Sequence, residues 1–415
     1  MKRIFTLISF ISLGFITAAA QEIADGYYRV HTAAGDHYVS LVNNKVDDAN
    51  LDKVKTGGGA SVYSLRLMPL NEVISDPGSI LKVKKGASGY VLEGQGADTY
   101  KLSKLYLQVR TSVAGITTPS GSYFLYGSKD GATRYLFDSG SSYDTDLNAA
   151  GVKTKYTFLY CVGAQSSGNY TLSSKNAYWY FDPIDNASSY FGITPESDIK
   201  VDGKYYTTIY CTFPFQVTGD MKAYYVTGIK SNRAEAKLNV IEDGIVPANT
   251  PVIIECTSEN PADNKVIVGA KASKTYSSEL KGNIFSYVKK SPSDGITENT
   301  TASMSELKNV ISYNKSTMRV LGVKDGKLAL VQATDDKLNV TDKGKYLRAN
   351  KAYAQISGAA NAIVLGEDIE DGIISIKNDV ESSDIYNLKG QKVNASDVDE
   401  LPHGLYIING KKVIK

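Results

Sequence analysis

Residues 204–217 read KYYTTIYCTFPFQV and alternate without a break. Tyr205, Thr207, Ile209, Cys211, Phe213, Phe215 and Val217 fall on one face; Tyr206, Thr208, Tyr210, Thr212, Pro214 and Gln216 fall on the other. On a pleated backbone successive side chains point to opposite sides, so this period of two predicts one half-buried antiparallel strand. Pro214 has no N–H to give to a ladder, which places that end at an edge or a bulge. No long stretch outside the first twenty residues carries a clean helical period. Tyr (29) and Gly (36) are plentiful, and β-branched runs are cut by Gly, Asn and Asp turns, which is the composition of an all-β protein.

The neighbourhood of that strand extends the pattern. MKAYYVTGI, AKLNVIE, VIIEC and AIVLG follow at short intervals. Met318 to Lys324 and Lys327 to Val331 flank Asp325-Gly326, a two-residue turn whose positions both need positive φ. Many short strands with regular turn signals predict a β-sandwich over 198–366. Upstream, residues 187–203 mix Ser, Asn, Gly, Pro and Asp with few apolar residues and read as a linker or the start of the next domain.

An N-terminal domain is expected over 21–186. Tyr27 to Val30 and His37 to Val42 read as a hairpin, and comparable phrases recur at 80–94, 123–138 and 169–184. Irregular repeats of about forty residues in an all-β segment fit a β-trefoil. The phrases YYRV, HYVSL and YWYFDPI are similar to ricin-like trefoil domains of Bacteroidales surface proteins, although the Gln-x-Trp signature of the lectins among them is missing. Tyr178 and Trp179 are the candidate ligand-binding residues, because an exposed Trp stacks on a sugar face. The competing reading packs Trp179, the single Trp, into the floor of the barrel.

The two ends concern address. Met1 to Ala20 has a charged start at Lys2 and Arg3, an apolar middle and an Ala18-x-Ala20 site, so a signal peptide is expected over 1–20, cut between Ala20 and Gln21. No later stretch is apolar enough to span a bilayer. Loss of Lys2 and Arg3 takes the 46 basic residues to 44, level with the 44 acidic ones, which excludes the basic footprint a nucleic acid needs. At the other end, residues 384–415 carry Asn409-Gly410 between YII and KKVIK, and an earlier pair of short runs around Lys389-Gly390, predicting a unit of three to four strands. Residues 367–383 read as an acidic link to it.

The pattern IYNLKGQKV followed by LPHGLYIINGKKVIK resembles the C-terminal sorting domain of proteins exported by the type IX secretion system of the Bacteroidota. The resemblance implies a secreted or outer-surface location and the secretion machinery as a partner. The phrases YYTTIYCTFPFQV, GIVPANTPVIIE and YLRANKAYAQI are similar to a module of exported gut Bacteroidales proteins, which implies a β-sandwich and no particular chemistry.

Chemical motifs are sparse. His31 and His37 flank a predicted turn and read as surface residues without an ordered carboxylate; His403 lies in the tail. There is no HExxH and no Gly-x-Ser-x-Gly. Asp144-Thr145-Asp146-Leu147-Asn148 resembles the start of a calcium loop but lacks its Gly and has Lys155 where a Glu is needed, so it reads as a solvated turn. No metal or cofactor is expected. Cys161, Cys211 and Cys256 are an odd set; Cys211 and Cys256 pair only if their strands are neighbours, and buried thiols are the simpler reading. Paired carboxylates cannot be picked from 44 acids by sequence. The expectation is an exported, non-enzymatic binding protein for carbohydrate or host glycoprotein. A secreted polysaccharide hydrolase and a structural or adhesin component that binds protein are the alternatives.

Overall fold

The computed structural model of the 415-residue chain describes residues 22–41, 60–86, 89–94, 104–129, 132–138, 143–146, 153–162, 171–185, 189–229, 234–283, 311–341, 344–358, 360–367, 385–387, 391–393, 405–408 and 411–414. The protein is all-β, and its one α-helix among the described residues is a single turn, α1 (Leu70–Val73). The chain divides into two compact units, Met1–Ile369 and Glu370–Lys415.

The first part of the larger unit carries β1 (Gly26–Thr32), β2 (Tyr38–Leu41), β3 (Ala60–Met68), β4 (Leu81–Gly86), β5 (Gly89–Gly94), β6 (Lys104–Arg110), β7 (Ser112–Val113), β8 (Ile116–Thr117), β9 (Phe124–Lys129), β10 (Ala132–Asp138), β11 (Tyr143–Asp146), β12 (Lys153–Val162) and β13 (Trp179–Pro183). The order β10-β9-β6-β5-β4-β1-β2-β3-β12 returns to its start because β10 also pairs β12, so the sheet curls and meets itself. β1 pairs β4 through its first residues and β13 along the rest. The phrases at 80–94 and 123–138 form the hairpins β4–β5 and β9–β10. The phrase at 169–184 does not: a 3-10 turn, Lys175–Ala177, leads into β13, which pairs with β1.

The second part carries β14 (Phe191–Gly192), β15 (Lys200–Val201), β16 (Lys204–Ile209), β17 (Phe215–Val217), β18 (Lys222–Thr227), β19 (Glu235–Val240), β20 (Ile245–Val246), β21 (Val252–Cys256), β22 (Lys265–Val268), β23 (Lys281–Asn283), β24 (Met318–Lys324), β25 (Lys327–Val331), β26 (Leu338–Thr341), β27 (Gly344–Leu347), β28 (Lys351–Gln355) and β29 (Ala362–Gly366). They make a ten-stranded sheet, β15-β16-β21-β18-β19-β29-β25-β24-β28-β23, a four-stranded sheet, β14-β22-β17-β20, and the ribbon β26–β27. β21 is buried along its whole length because it has a core on each side. Val252, Ile254 and Cys256 face the four-stranded sheet, while Ile253 joins the core formed with β19, β25 and β29. The β24–β25 hairpin turns at Asp325 (φ 50°) and Gly326 (φ 76°), the paired positive φ values that the dipeptide predicts.

Residues 204–217 are not one strand. β16 belongs to the ten-stranded sheet and β17 to the four-stranded one, and the chain crosses between them at 210–214. There the Tyr210 N–H donates to Asn350 O and the Cys211 thiol donates to Phe213 O, so the ladder is left. Alternation persists through the crossing because Ile209, Cys211, Phe213 and Phe215 all enter the same core between the two sheets. Residues 189–203 are likewise packed rather than a linker: Phe191, Ile193 and Ile199 are buried, and Phe191 meets Phe213 edge-on with ring centroids 5.5 Å apart. Burial of each large apolar side chain contributes about 1.5–3 kcal/mol.

That core also takes in Ile80 and Tyr27 from the first part. The same seam holds Arg29, which is fully buried. Its guanidinium donates to Ser79 Oγ (3.2 Å), Ile74 O (3.0 Å) and Tyr190 O. Burial, the leading cause, lowers its pKa to about 10, with Asp76 opposing the shift. The C-terminal unit is a four-stranded sheet, β31-β30-β32-β33, built from β30 (Ile385–Asn387), β31 (Lys392–Val393), β32 (Leu405–Ile408) and β33 (Lys411–Ile414). Ile385 and Tyr406 are its buried residues.

Candidate functional site

Trp179 is fully buried, and its indole N–H donates to Leu136 O at 3.0 Å. It offers no face to a sugar; of the two sequence readings, the packed one describes it. Tyr178 is half-buried against Phe124, with centroids 5.7 Å apart. Cys211 and Cys256 are free, buried thiols whose pKa values burial pushes up to about 12, which leaves them unreactive at neutral pH. Asp144 to Asp146 lie in β11, paired with β12, and not in a turn. The side chain of Cys161, the cleavage site at Ala20 and Gln21, the link at 367–383 apart from Glu367, and His403 lie outside the described residues. His31 and His37 do have carboxylate partners, contrary to expectation: Asp182 Oδ2 at 3.2 Å and Asp138 Oδ2 at 2.5 Å respectively.

A cleft with a half-buried charge network lies where the two parts of the larger unit meet. A cleft of about 530 Å³ runs between the helical turns of 72–77 and the segment 193–198, with β16, the 3-10 turn Asp335–Lys337 and residues 348–351 completing it. Its walls are braced before any ligand arrives. Ser75 and Thr194 share a hydroxyl hydrogen bond of 2.6 Å, and the Gly192 N–H donates to Ile74 O. Asn350, at φ 57°, turns the chain so that Lys351 opens β28 beside β16. The Asn350 side-chain amide donates to Tyr210 O, and the Ala352 N–H donates to Thr208 Oγ1.

A charged network lines one side. Lys337 Nζ donates to Glu196 Oε2 (2.6 Å) and Asp198 Oδ1 (2.5 Å). Lys351 Nζ donates to Thr207 Oγ1 (2.6 Å) and to Glu196 Oε1 (3.4 Å). Burial by itself raises the Glu196 pKa, but Lys351 and Lys337 more than reverse this, so its carboxyl is held below the usual range. Burial lowers Lys337, and Glu196 and Asp198 more than reverse that shift too, holding it above the usual range. Glu196 is therefore an ionised acceptor at neutral pH, not a proton donor. Arg348 and Asp336 stand beside the network, and Ile193, Pro195 and Ile209 supply apolar wall.

Two other hollows compare in size, one of about 570 Å³ near Tyr313 and one of about 430 Å³ near Tyr225. Their chemistry is less fixed. Lys345 and Asp335 in the first are 49% and 63% exposed, against 11% and 17% for Lys337 and Glu196. Exposed pairs screen and exchange partners; half-buried ones hold their geometry. Sequence reasoning missed the Glu196 network entirely, because its members are ordinary charged residues brought together from distant segments. No local motif marks them.

No family model matches the chain, and no curated protein does. Among solved structures, a mosquitocidal holotoxin matches with a TM-score of 0.23 and 11% identity, over 80% of this chain and 34% of that one. The chain thus spans about a third of the holotoxin's length. No helix among the described residues is long and apolar enough to cross a membrane.

Proposed function

We propose that this is a non-enzymatic binding protein and that its ligand site is the Glu196 cleft, with a hydroxyl-rich carbohydrate, free or on a host glycoprotein, as the ligand. The observation that carries this is the braced network of Glu196, Asp198, Lys337, Lys351 and Thr207 in a pre-formed cleft. Sugar hydroxyls both donate and accept, and fixed carboxylate oxygens beside fixed ammonium groups serve both roles without reorganising. A carboxylate held ionised by two lysines does not supply the proton that glycoside cleavage takes from a general acid. Lining carboxylates outnumber the cations, with Glu72, Asp76, Glu196, Asp198 and Asp336 against Lys337, Arg348 and Lys351, which favours a neutral or cationic sugar over a uronate.

The leader at 1–20 and the tail at 384–415 support an exported protein displayed at or released from the outer surface, with the secretion machinery as a second partner. The full chain and its Glu72→Gln and Arg348→Ala variants are to be tested on a polysaccharide and mucin-glycan array, with released sugar assayed in parallel. Binding without release, weakened at least about tenfold by either variant, is expected. Release of sugar, or binding indifferent to both variants, overturns the reading. For the tail, deletion of 384–415 is expected to abolish surface exposure in fractionated cells, and unchanged exposure refutes a sorting role.

A further inference from the structure

The turn between β1 and β2 carries a histidine at each end, and each is tied to a carboxylate from a different, distant strand. His31 Nε2 lies 3.2 Å from Asp182 Oδ2 on β13, and His37 Nδ1 lies 2.5 Å from Asp138 Oδ2 at the end of β10. The two pairs thus fasten one turn to the last strand and to the strand where the curled sheet meets itself.

His31 has an acceptor near each ring nitrogen. Its second nitrogen, Nδ1, lies 3.1 Å from Thr32 O, a carbonyl that only accepts. A carboxylate near one ring nitrogen and a carbonyl near the other give both N–H groups of an imidazolium an acceptor within reach, so these surroundings favour the protonated ring. Its ring is held between Tyr180 and Tyr38, with centroids 5.2 and 4.8 Å away, an arrangement that favours a cationic ring. At the other end Asp138 is fully buried and also accepts from Thr32 Oγ1 at 3.1 Å, so an imidazolium at His37 offsets a charge that water does not reach.

We propose that this turn is a protonation-dependent clasp: the His31 and His37 imidazoliums hold it on β13 and β10, and loss of their protons opens it. Among the described residues, the charged and titratable groups facing His31 are Asp182 and Tyr180 on β13, Tyr38 on β2 and Asp36 in the turn; those facing His37 are Asp138 on β10 and Asp36. Arg29 couples to Tyr38 and Asp182 from β1. For His31 burial lowers the pKa but Asp182, with Thr32 O and Asp36, more than reverses it; for His37 the Asp138 hydrogen bond, the largest cause, raises it; both are shifted upward from the ordinary value. A pKa raised by folding means that the stabilisation is full below that value and is lost as pH rises through the higher, folded one. The clasp is therefore closed in acid and loosens as pH rises through the raised pKa values of the two histidines.

Hydrogen exchange on the full chain reads this directly. Thr32, Ala33 and Ala34 donate their N–H groups to His37 O, Tyr178 O and Thr32 Oγ1, so these amides report opening of the turn. Their opening constants, corrected for intrinsic exchange, are expected to rise at least about threefold between about pH 6 and pH 9, and the rise is expected to vanish in His31→Gln/His37→Asn. A flat profile in the wild type, or a slope that survives in the double variant, overturns the clasp. Nitrogen shifts of the imidazole rings give a check that needs no variant. Both His31 nitrogens are expected to be protonated at about pH 6, and a neutral tautomer there refutes the proposal.

Discussion

At the scale of single residues, Glu196 decides what the cleft can do. Two lysines reach it from opposite sides, and each lysine has a further oxygen partner, Asp198 or Thr207. Glu196→Gln removes the shared charge and leaves Lys337, only 11% exposed, with one carboxylate. The expected loss is about 1–3 kcal/mol of unfolding free energy at neutral pH, read from urea denaturation. The pH dependence separates charge from packing. Because folding lowers the Glu196 pKa, its contribution is present above its ordinary value, about 4.5, and is lost as pH falls through the lower folded value. The gap between wild type and variant should therefore close in acid; a gap constant from neutral pH to about pH 3 would show that the carboxylate acts by shape alone.

Elements are where the sequence was most and least readable. The β24–β25 hairpin follows from Asp325-Gly326 to the residue, since only those φ values close a two-residue loop with the right twist. The crossing at 210–214 did not follow, because both sheets present their apolar side to one core and the period of two runs straight through it. The signal that was present lay elsewhere, at Gly282 on β23. A Cβ there would stand 2.1 Å from Tyr210 Cγ, so the crossing segment lays its tyrosine ring directly on a bare backbone. Gly282→Ala is expected to cost about 1–3 kcal/mol by overpacking. Tyr210→Ala in the same chain should recover part of it, since the clash then has no second partner. Strictly additive losses in the four-way cycle would place the strain somewhere other than this contact.

For the larger unit as a whole, its all-β character was legible and the core shared between its first and second parts was not. Tyr27 and Ile80 look like ordinary strand residues in sequence, yet they enter the core of the following sheets, and Arg29 is buried in the seam beside them. A guanidinium is buried only when its donors are satisfied, and here the acceptors come from both parts: Ser79 and Ile74 from one, Tyr190 from the other. Arg29 therefore couples the two, and they should unfold together. The chain supplies a probe for each. Trp179 is the single Trp and is buried in the first part; Cys211 and Cys256 are buried thiols of the second. In a Cys161→Ser background, tryptophan fluorescence and thiol labelling should give coincident urea midpoints. Arg29→Met leaves the Tyr190 carbonyl without its guanidinium donor, at about 1–3 kcal/mol, while Ile74 O keeps the Gly192 N–H. The midpoints should then fall and separate, because the apolar contacts of Tyr27 and Ile80 and the Gly192–Ile74 and Ser75–Thr194 hydrogen bonds remain but the buried guanidinium tie is gone. Separate midpoints in the unmutated chain would mean that the shared core does not make the two parts one cooperative body.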